Sequence, residues 1–211
     1  MNMTRRQALK SLALGSGVVL SSTSVLAVLN TAYANTADGA ASFTFLSKAQ
    51  AKSIALMTHV IIPKSADLPG AEDVPIVNFI DALYSQLMDD NQRKKFLRGL
   101  EVAEAAFADE HKQPFSDASI AKRESFVKSV YELPKDEAQS MIWLADKTEA
   151  PEGQEDQYYL YHFLYNLRVL TLEGYFESEL VGEKVLAYLP VPGGWEPEMD
   201  VDENTRVWSI N

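Results

Sequence analysis

Residues 157–176, QYYLYHFLYNLRVLTLEGYF, predict the helix that decides the fold. At about 100° per residue, His162, Asn166 and Glu173 fall on one narrow stripe, and apolar side chains fill most of the remaining circumference. A helix that is apolar around most of its circumference is buried on more than one side. Two interpretations stay open: a central helix inside this domain, or a helix shared between the domain core and a partner protein.

Two helices are predicted near the start of the folded region. Ser47 and Gln50 have the spacing of a capping box, so the first helix follows Ser47 and runs to about Ile62, where Pro63 ends it. A loop rich in Pro, Gly and Asp comes next. Pro75 suits the first turn of a second helix, which continues with apolar residues at helical spacing.

Three more helices are predicted between this pair and residues 157–176. The third is capped at Asp89 and runs to about Asp109. Ser116 is the expected cap of the fourth, whose inward residues are Ile120, Phe126, Val127 and Val130. Pro134 opens the fifth, whose apolar residues are Met141, Ile142 and Leu144.

These segments predict an all-α protein, an irregular bundle of about five to seven helices with an extended C-terminal arm. No strand alternation of useful length appears. The predicted boundaries are a leader over residues 1–34, a flexible lead-in over 35–46, a helical domain over 47–188 and the arm over 189–211.

The leader resembles a bacterial twin-arginine export signal. Its motif residues are Arg5, Arg6, Leu9 and Lys10, and no residue from Ser11 to Ala37 is charged. Ala32 and Ala34 have the small-x-small spacing of a signal-peptidase site, so cleavage after Ala34 is expected. The alternative is an uncleaved membrane anchor, because the uncharged stretch is just long enough to span a bilayer. The twin-arginine route is typical of proteins that fold before export.

Charge and cysteine usage exclude several kinds of partner and cofactor. Cleavage would remove three basic residues and no acidic one, so the net charge of −11 becomes −14. Nucleic acid and anionic lipid are therefore unsuitable partners. The chain has no cysteine, which excludes disulfides, thiolate-bound iron–sulfur clusters and covalently attached haem.

The chain offers no recognisable catalytic, cofactor-binding or metal-binding motif. Its histidines, His59, His111 and His162, lie about fifty residues apart, and none has a second histidine four residues away. The glycines outside the leader are scattered, so no phosphate-binding loop is predicted. We therefore expect no cofactor or metal to be bound by this chain and assign no catalytic residue.

Residues 174–195, GYFESELVGEKVLAYLPVPGGW, resemble the end of the gluconate 2-dehydrogenase subunit 3 family. The resemblance lies in Gly174–Phe176, Ser178–Glu179, Gly182 and Leu189–Gly193. The leader, the Ile61-Ile62-Pro63 helix end and the Pro-started second helix resemble that family's layout more weakly. Ala8 departs from the pattern, because twin-arginine signals usually have Phe there.

The resemblance implies a non-catalytic small subunit of a periplasmic dehydrogenase that acts on a sugar, sugar acid or polyol. In that family the large subunit resembles glucose–methanol–choline oxidoreductases, binds FAD and typically lacks its own export signal. A third subunit with haem c often passes electrons to the quinone pool. The small subunit is thus expected to stabilise the large one, escort it through the twin-arginine translocase and reside with it at the inner-membrane face.

The predicted partner contacts lie at the C-terminal end of the chain. They are Tyr175, Phe176, Pro190, Pro192, Trp195 and Trp208. The prolines prevent a helix after Leu189, yet the tail carries large apolar side chains that need a surface to pack against. The tail either folds back on its own domain or lies across the partner. The alternative function is a free-standing exported enzyme or ligand-binding protein with its own helical pocket.

Overall fold

The computed structural model describes residues 43–145, 147–187, 202 and 205–206, and these contain seven α-helices and no strand. The helices are α1 (Lys48–Ile61), α2 (Ile76–Gln86), α3 (Asp90–His111), α4 (Ile120–Tyr131), α5 (Lys135–Ala145), α6 (Glu155–Phe176) and α7 (Glu179–Lys184). Short 3₁₀ turns occupy Ala71–Asp73 and Phe115–Asp117. The prediction of an all-α bundle is confirmed. Within the described part of the chain, no helix combines the length and apolar character needed to cross a membrane.

Helix α6 is the centre of the bundle. It packs against α1, α2, α3, α5 and α7, most extensively against α3. The two long helices cross closely at Gly99 of α3, where an added Cβ would lie 2.4 Å from the Phe163 Cβ and 2.8 Å from the Tyr159 carbonyl oxygen. Phe163 is fully buried at this crossing. Glycine is therefore required at position 99 for the two backbones to approach this closely.

The predicted starts of α1 and α3 are confirmed. Ser47 and Gln50 form a reciprocal capping box at α1, and Asp89 and Gln92 form another at α3. Each pair satisfies backbone N–H groups that have no partner inside the helix. The cap interactions join residues three positions apart, so they can form independently of the tertiary structure.

The predicted start of α4 is wrong. Ser119 is the N-cap residue, and Ser116 lies in the preceding 3₁₀ turn. That turn is fixed by the buried ring of Phe115 and by Arg123, whose guanidinium donates to the carbonyl oxygens of Phe115 and Ser116, each at 2.9 Å. Ile120, expected to face inward, is 69% exposed at the first position of α4.

The expectation of a flexible lead-in over residues 35–46 is corrected for residues 43–46. The buried carboxylate of Asp81 on α2 accepts hydrogen bonds from the backbone N–H groups of Thr44, Phe45 and Leu46 at 2.7–2.9 Å. Leu46 is buried, and the ring of Phe45 stacks on Tyr84 at 5.1 Å. Three donors to one carboxylate hold this segment against the bundle.

Candidate partner-docking surface

Helix α6 has a fully buried side and an apolar outer side. The buried side includes Phe163, Leu164, Leu167 and Leu170. Five aromatic or aliphatic residues lie along the opposite side, three or four positions apart: Tyr161, Tyr165, Val169, Leu172 and Phe176. We call these five residues the outer stripe. Phe176 is 48% exposed and the other four are partly exposed.

The outer stripe is about 22 Å long, because 15 residues separate Tyr161 from Phe176 and a helix rises 1.5 Å per residue. Of the five, Tyr161 packs against the core cluster of buried residues, and the Phe176 ring meets the buried Tyr175 ring edge-on. A contiguous apolar strip of this length at the surface of a small domain is typical of a protein interaction site. Helix α6 is therefore central to the domain on one side and carries an apolar strip on the other.

Two charged side chains flank the outer stripe. Burial, with a smaller contribution from Glu177, raises the pKa of Glu173 above its ordinary value, so this carboxyl is poorly solvated. The guanidinium of Arg168 lies 5.3 Å from the ring centroid of Tyr131, whose hydroxyl donates to the Leu164 carbonyl oxygen at 2.6 Å. Arg168 is thus held beside the stripe by a cation–π contact.

The predicted contact residues divide into three groups. Phe176 lies in the outer stripe. The prediction for Tyr175 is wrong, because its ring is 4% exposed and its hydroxyl donates to the Pro69 carbonyl oxygen at 2.6 Å, which makes it a core residue. Pro190, Pro192, Trp195 and Trp208 lie outside the described residues, as do the leader positions Arg5, Arg6, Leu9, Lys10, Ala32 and Ala34.

The C-terminal tail meets the domain again at Arg206. Its guanidinium donates to the carbonyl oxygen of Lys184, the last residue of α7, at 3.2 Å. Asp202 and Thr205 form a turn just before it, closed by hydrogen bonds of 2.8 Å. At this point the tail folds back on its own domain, which was one of the two alternatives for the arm.

A second exposed apolar site lies on α5. Ile142 and Trp143 are 46% and 59% exposed, although Met141 and Leu144 of the same helix are buried. Ile142 is among the residues predicted to be apolar in this helix, and Trp143 has no predicted role. Ile142 and Trp143 belong to no sequence motif. Their exposure follows from their position on the side of α5 opposite the buried Met141 and Leu144.

The three histidines occupy separate environments. His59 Nδ1 lies 4.0 Å from a Glu72 carboxylate oxygen, and the His111 ring packs on Phe107 with ring centroids 4.4 Å apart. The side-chain amide of Asn166 contacts the His162 ring at 3.0 Å and donates to the His162 carbonyl oxygen at 2.8 Å. No group of three His, Cys, Asp or Glu residues within the described ranges is arranged to hold a metal ion.

His162 belongs to a cluster that closes the junction between α3 and the α5–α6 loop. Lys95 on α3 donates to the Thr148 carbonyl oxygen at 3.2 Å and lies 5.0 Å from the Tyr158 ring centroid. Burial lowers the pKa of Lys95. The pKa of His162 is lowered to about 4, mainly by burial and to a smaller extent by the charge of Lys95. Burial also raises the pKa of Tyr158 to about 12, and its hydroxyl donates to the Lys147 carbonyl oxygen at 2.9 Å. The cluster anchors the loop to α3.

The comparisons with known proteins agree with this architecture. A family model described as gluconate 2-dehydrogenase subunit 3 matches residues 48–193, more than half of the chain and all seven helices. The resemblance inferred from residues 174–195 is thereby confirmed. No curated protein and no solved structure matches the chain significantly. The chain therefore belongs to the gluconate 2-dehydrogenase subunit 3 family, and this membership implies a complex with other dehydrogenase subunits.

Proposed function

We propose that this chain is the non-catalytic small subunit of an FAD-dependent dehydrogenase of the glucose–methanol–choline type, acting on a sugar, sugar acid or polyol. Its role is to stabilise the catalytic subunit. The observation that carries the proposal is the outer stripe, since α6 supplies the domain core on one side and an apolar strip on the other. The family, described as a subunit of a dehydrogenase, identifies the kind of partner.

The outer stripe suits the centre of an interface. Tyr and Phe side chains bury large areas at a small cost in side-chain entropy, and such residues dominate the energetics of many interfaces. Full burial of a Leu or Phe side chain contributes about 1.5–3 kcal/mol. A stable interface covers about 800 Å² on each partner, so the stripe forms the core of the contact and neighbouring surfaces complete it.

The same proposal includes export. The leader over residues 1–34 is proposed to carry the folded pair of subunits through the twin-arginine translocase to the periplasm. FAD is bound in the catalytic subunit, and a third subunit with haem c links the complex to the inner membrane. The support lies in the residues of the leader, above all Arg5 and Arg6, and in the absence of cysteine from this chain, which leaves covalent haem attachment to another subunit.

An alternative function rests on a cavity between α5 and α6. A free-standing exported enzyme or ligand-binding protein needs an internal pocket, and this cavity, about 520 Å³ in volume, falls in the size range of small-molecule sites. Purification of the native protein separates the two functions. A yellow dehydrogenase that co-purifies in a fixed ratio supports the small subunit, whereas a colourless monomer with its own turnover supports the alternative.

The export test uses the variant Arg5→Lys/Arg6→Lys, with Asn2→Gln as a control in the leader outside the motif residues. The double variant is expected to leave both this chain and the dehydrogenase subunit in the cytoplasm, and the control to export both. Cell fractionation followed by immunoblotting of both subunits measures the outcome. Export of the dehydrogenase subunit in the double variant would refute the escort role.

A further inference from the structure

The lining of the cavity between α5 and the first turns of α6 includes two carboxylates. Asp136 and Glu137 line it from the start of α5, and Gln157 and Tyr161 line it from α6. Its lining, which falls wholly within the described residues, contains no lysine or arginine. The cavity therefore presents a negative potential and hydrogen-bond acceptors to whatever enters it, and it disfavours anionic ligands such as phosphates and sugar acids.

One wall of the cavity is the exposed indole of Trp143. The Nζ of Lys147, one turn further along the chain, lies 3.7 Å from the centroid of that ring. This cation–π contact is made within the chain, so an incoming guanidinium has to displace Lys147 or stack on the other face of the indole. Ile142 extends the apolar rim next to it. The site thus combines the indole ring of Trp143 with two carboxylates.

That combination matches the guanidinium group of arginine better than a lysine ammonium. A guanidinium is planar, stacks on aromatic faces and binds carboxylates with two parallel hydrogen bonds. The cavity, about 520 Å³ in volume, has room for an arginine side chain together with neighbouring residues of a short loop.

The cavity is continuous with the outer stripe. Tyr161 is both the first residue of the stripe and part of the cavity lining. A partner that covers the stripe from Phe176 towards Tyr161 therefore reaches the cavity. Because the chain carries a net charge of −14 after loss of residues 1–34, a basic segment of that partner is also favoured by long-range attraction.

We propose that the α5–α6 cavity receives an arginine-bearing loop of the catalytic dehydrogenase subunit, with the guanidinium between Trp143 and the carboxylates of Asp136 and Glu137. The inference rests on the proposed function, whose partner it shares. It adds a specific anchoring site and the chemistry of the partner segment that occupies this site. The stripe supplies the apolar contact, and the cavity fixes the register of the two subunits through charge.

The first experiment locates the partner segment. The photo-crosslinking residue benzoylphenylalanine replaces Trp143 in the co-expressed complex, and a second complex carries it at Ile120, which is exposed on α4 and does not line the cavity. Mass spectrometry of the cross-linked peptides is expected to find a dehydrogenase segment that contains arginine. This cross-link should form from position 143 and not from position 120. Cross-links to a second copy of this chain, or to a segment without arginine, overturn the proposal.

The second experiment measures affinity for the purified dehydrogenase subunit. Asp136→Asn/Glu137→Gln is expected to weaken binding at least about tenfold, and the wild type should lose affinity with salt more steeply than this variant. The control Asp67→Asn/Asp109→Asn makes the same change in charge at exposed positions outside the cavity and should leave binding within about twofold. Trp143→Ala, which keeps both carboxylates at the start of α5, should also weaken binding.

The outcomes separate this inference from the proposed function. If the cavity variants bind as tightly as the wild type while stripe variants lose binding, the cavity proposal is wrong and the small-subunit role stands. If no dehydrogenase subunit binds the wild-type chain at all, the proposed function fails. Thermal melting of each isolated variant shows whether a loss of binding comes from unfolding.

Discussion

Tyr175 and Phe176 are neighbours in sequence and meet edge-on, with ring centroids 5.3 Å apart, yet only Tyr175 is buried. The ring of Tyr175 is 4% exposed, and its hydroxyl is bound to the Pro69 carbonyl oxygen. The ring of Phe176 is 48% exposed, and the two ring planes are nearly perpendicular at 86°. One residue therefore joins α6 to the loop before α2, and the next is available to another protein.

This difference in burial predicts that one substitution mainly lowers stability and the other mainly weakens binding of the partner. Tyr175→Phe removes the hydrogen bond to Pro69 and should lower the free energy of unfolding by about 1 kcal/mol. Phe176→Ser removes an exposed side chain and should change it by no more than about 0.5 kcal/mol, yet weaken binding of the dehydrogenase subunit. Urea unfolding and titration with that subunit measure the two effects. A Phe176→Ser variant as unstable as Tyr175→Phe would place Phe176 in the core.

Glu173 should destabilise the isolated chain when it is ionised. Its pKa is raised by burial, so the folded state favours the protonated form; the associated stability is present below the unfolded pKa and is lost as pH rises through the folded pKa. Glu173→Gln stays neutral and should make the isolated chain more stable at pH 7.

The wild type and Glu173→Gln should have nearly equal stability near pH 4, where the wild-type carboxyl is mostly protonated in both the folded and unfolded states. Glu177→Gln, at a more exposed position one turn away, is the control and should show a smaller gain at pH 7. Urea unfolding at the two pH values gives the comparison. A gain for Glu173→Gln that persists unchanged at pH 4 would mean that burial of the charge is not its cause.

His162 should make the protein sensitive to mild acid. Its pKa in the folded state is lowered from 6.5 to about 4 by burial and by Lys95, so its stability contribution is complete above pH 6.5 and is lost as pH falls towards 4. The loss is at most about 3 kcal/mol, the value that corresponds to this shift. In His162→Gln the contribution is absent, so its unfolding free energy should fall less steeply over the same range. Parallel pH curves for the two chains would contradict the assignment.

The histidines are expected to have no catalytic role. His59→Gln, His111→Gln and His162→Gln, introduced singly into the assembled complex, should leave turnover within a few-fold of wild type. Removal of a general acid or base typically lowers turnover about 10²–10⁴-fold, so steady-state kinetics distinguish the two cases clearly. A thousandfold loss with flavin content and assembly intact would reveal a catalytic histidine.

The sequence predicted those parts of the fold that depend on local interactions. The caps at Ser47 and Asp89 were correct because the residues that form them lie three positions apart. The start of α4 was wrong because Ser116 and Ser119 are both good cap residues. The choice between them depends on the burial of Phe115 and on Arg123, which the local pattern does not contain.

The candidate site was predicted only in part, for a similar reason. The residues of α6 are apolar on almost every side, so their spacing alone gives no preference for the side that faces the core. The structure resolves this through the close approach of α3 at Gly99, which buries Phe163 and leaves Tyr165 and Phe176 on the opposite side. Trp143 and the cavity beside it require the contact between α5 and α6, which no sequence motif records.

The central claim is that the outer stripe of α6 binds the dehydrogenase subunit, and the affinity of one double variant tests it most directly. Leu172→Asp/Phe176→Asp places two charges in the stripe, and Leu68→Asp/Ile120→Asp places two charges at exposed apolar positions elsewhere. Both variants should fold, and each should be titrated with purified dehydrogenase subunit by calorimetry. We expect the stripe variant to lose at least about 3 kcal/mol of binding free energy and the control to lose less than about 0.5 kcal/mol. Equal affinity of the stripe variant and the wild type would show that the outer stripe does not bind the dehydrogenase subunit.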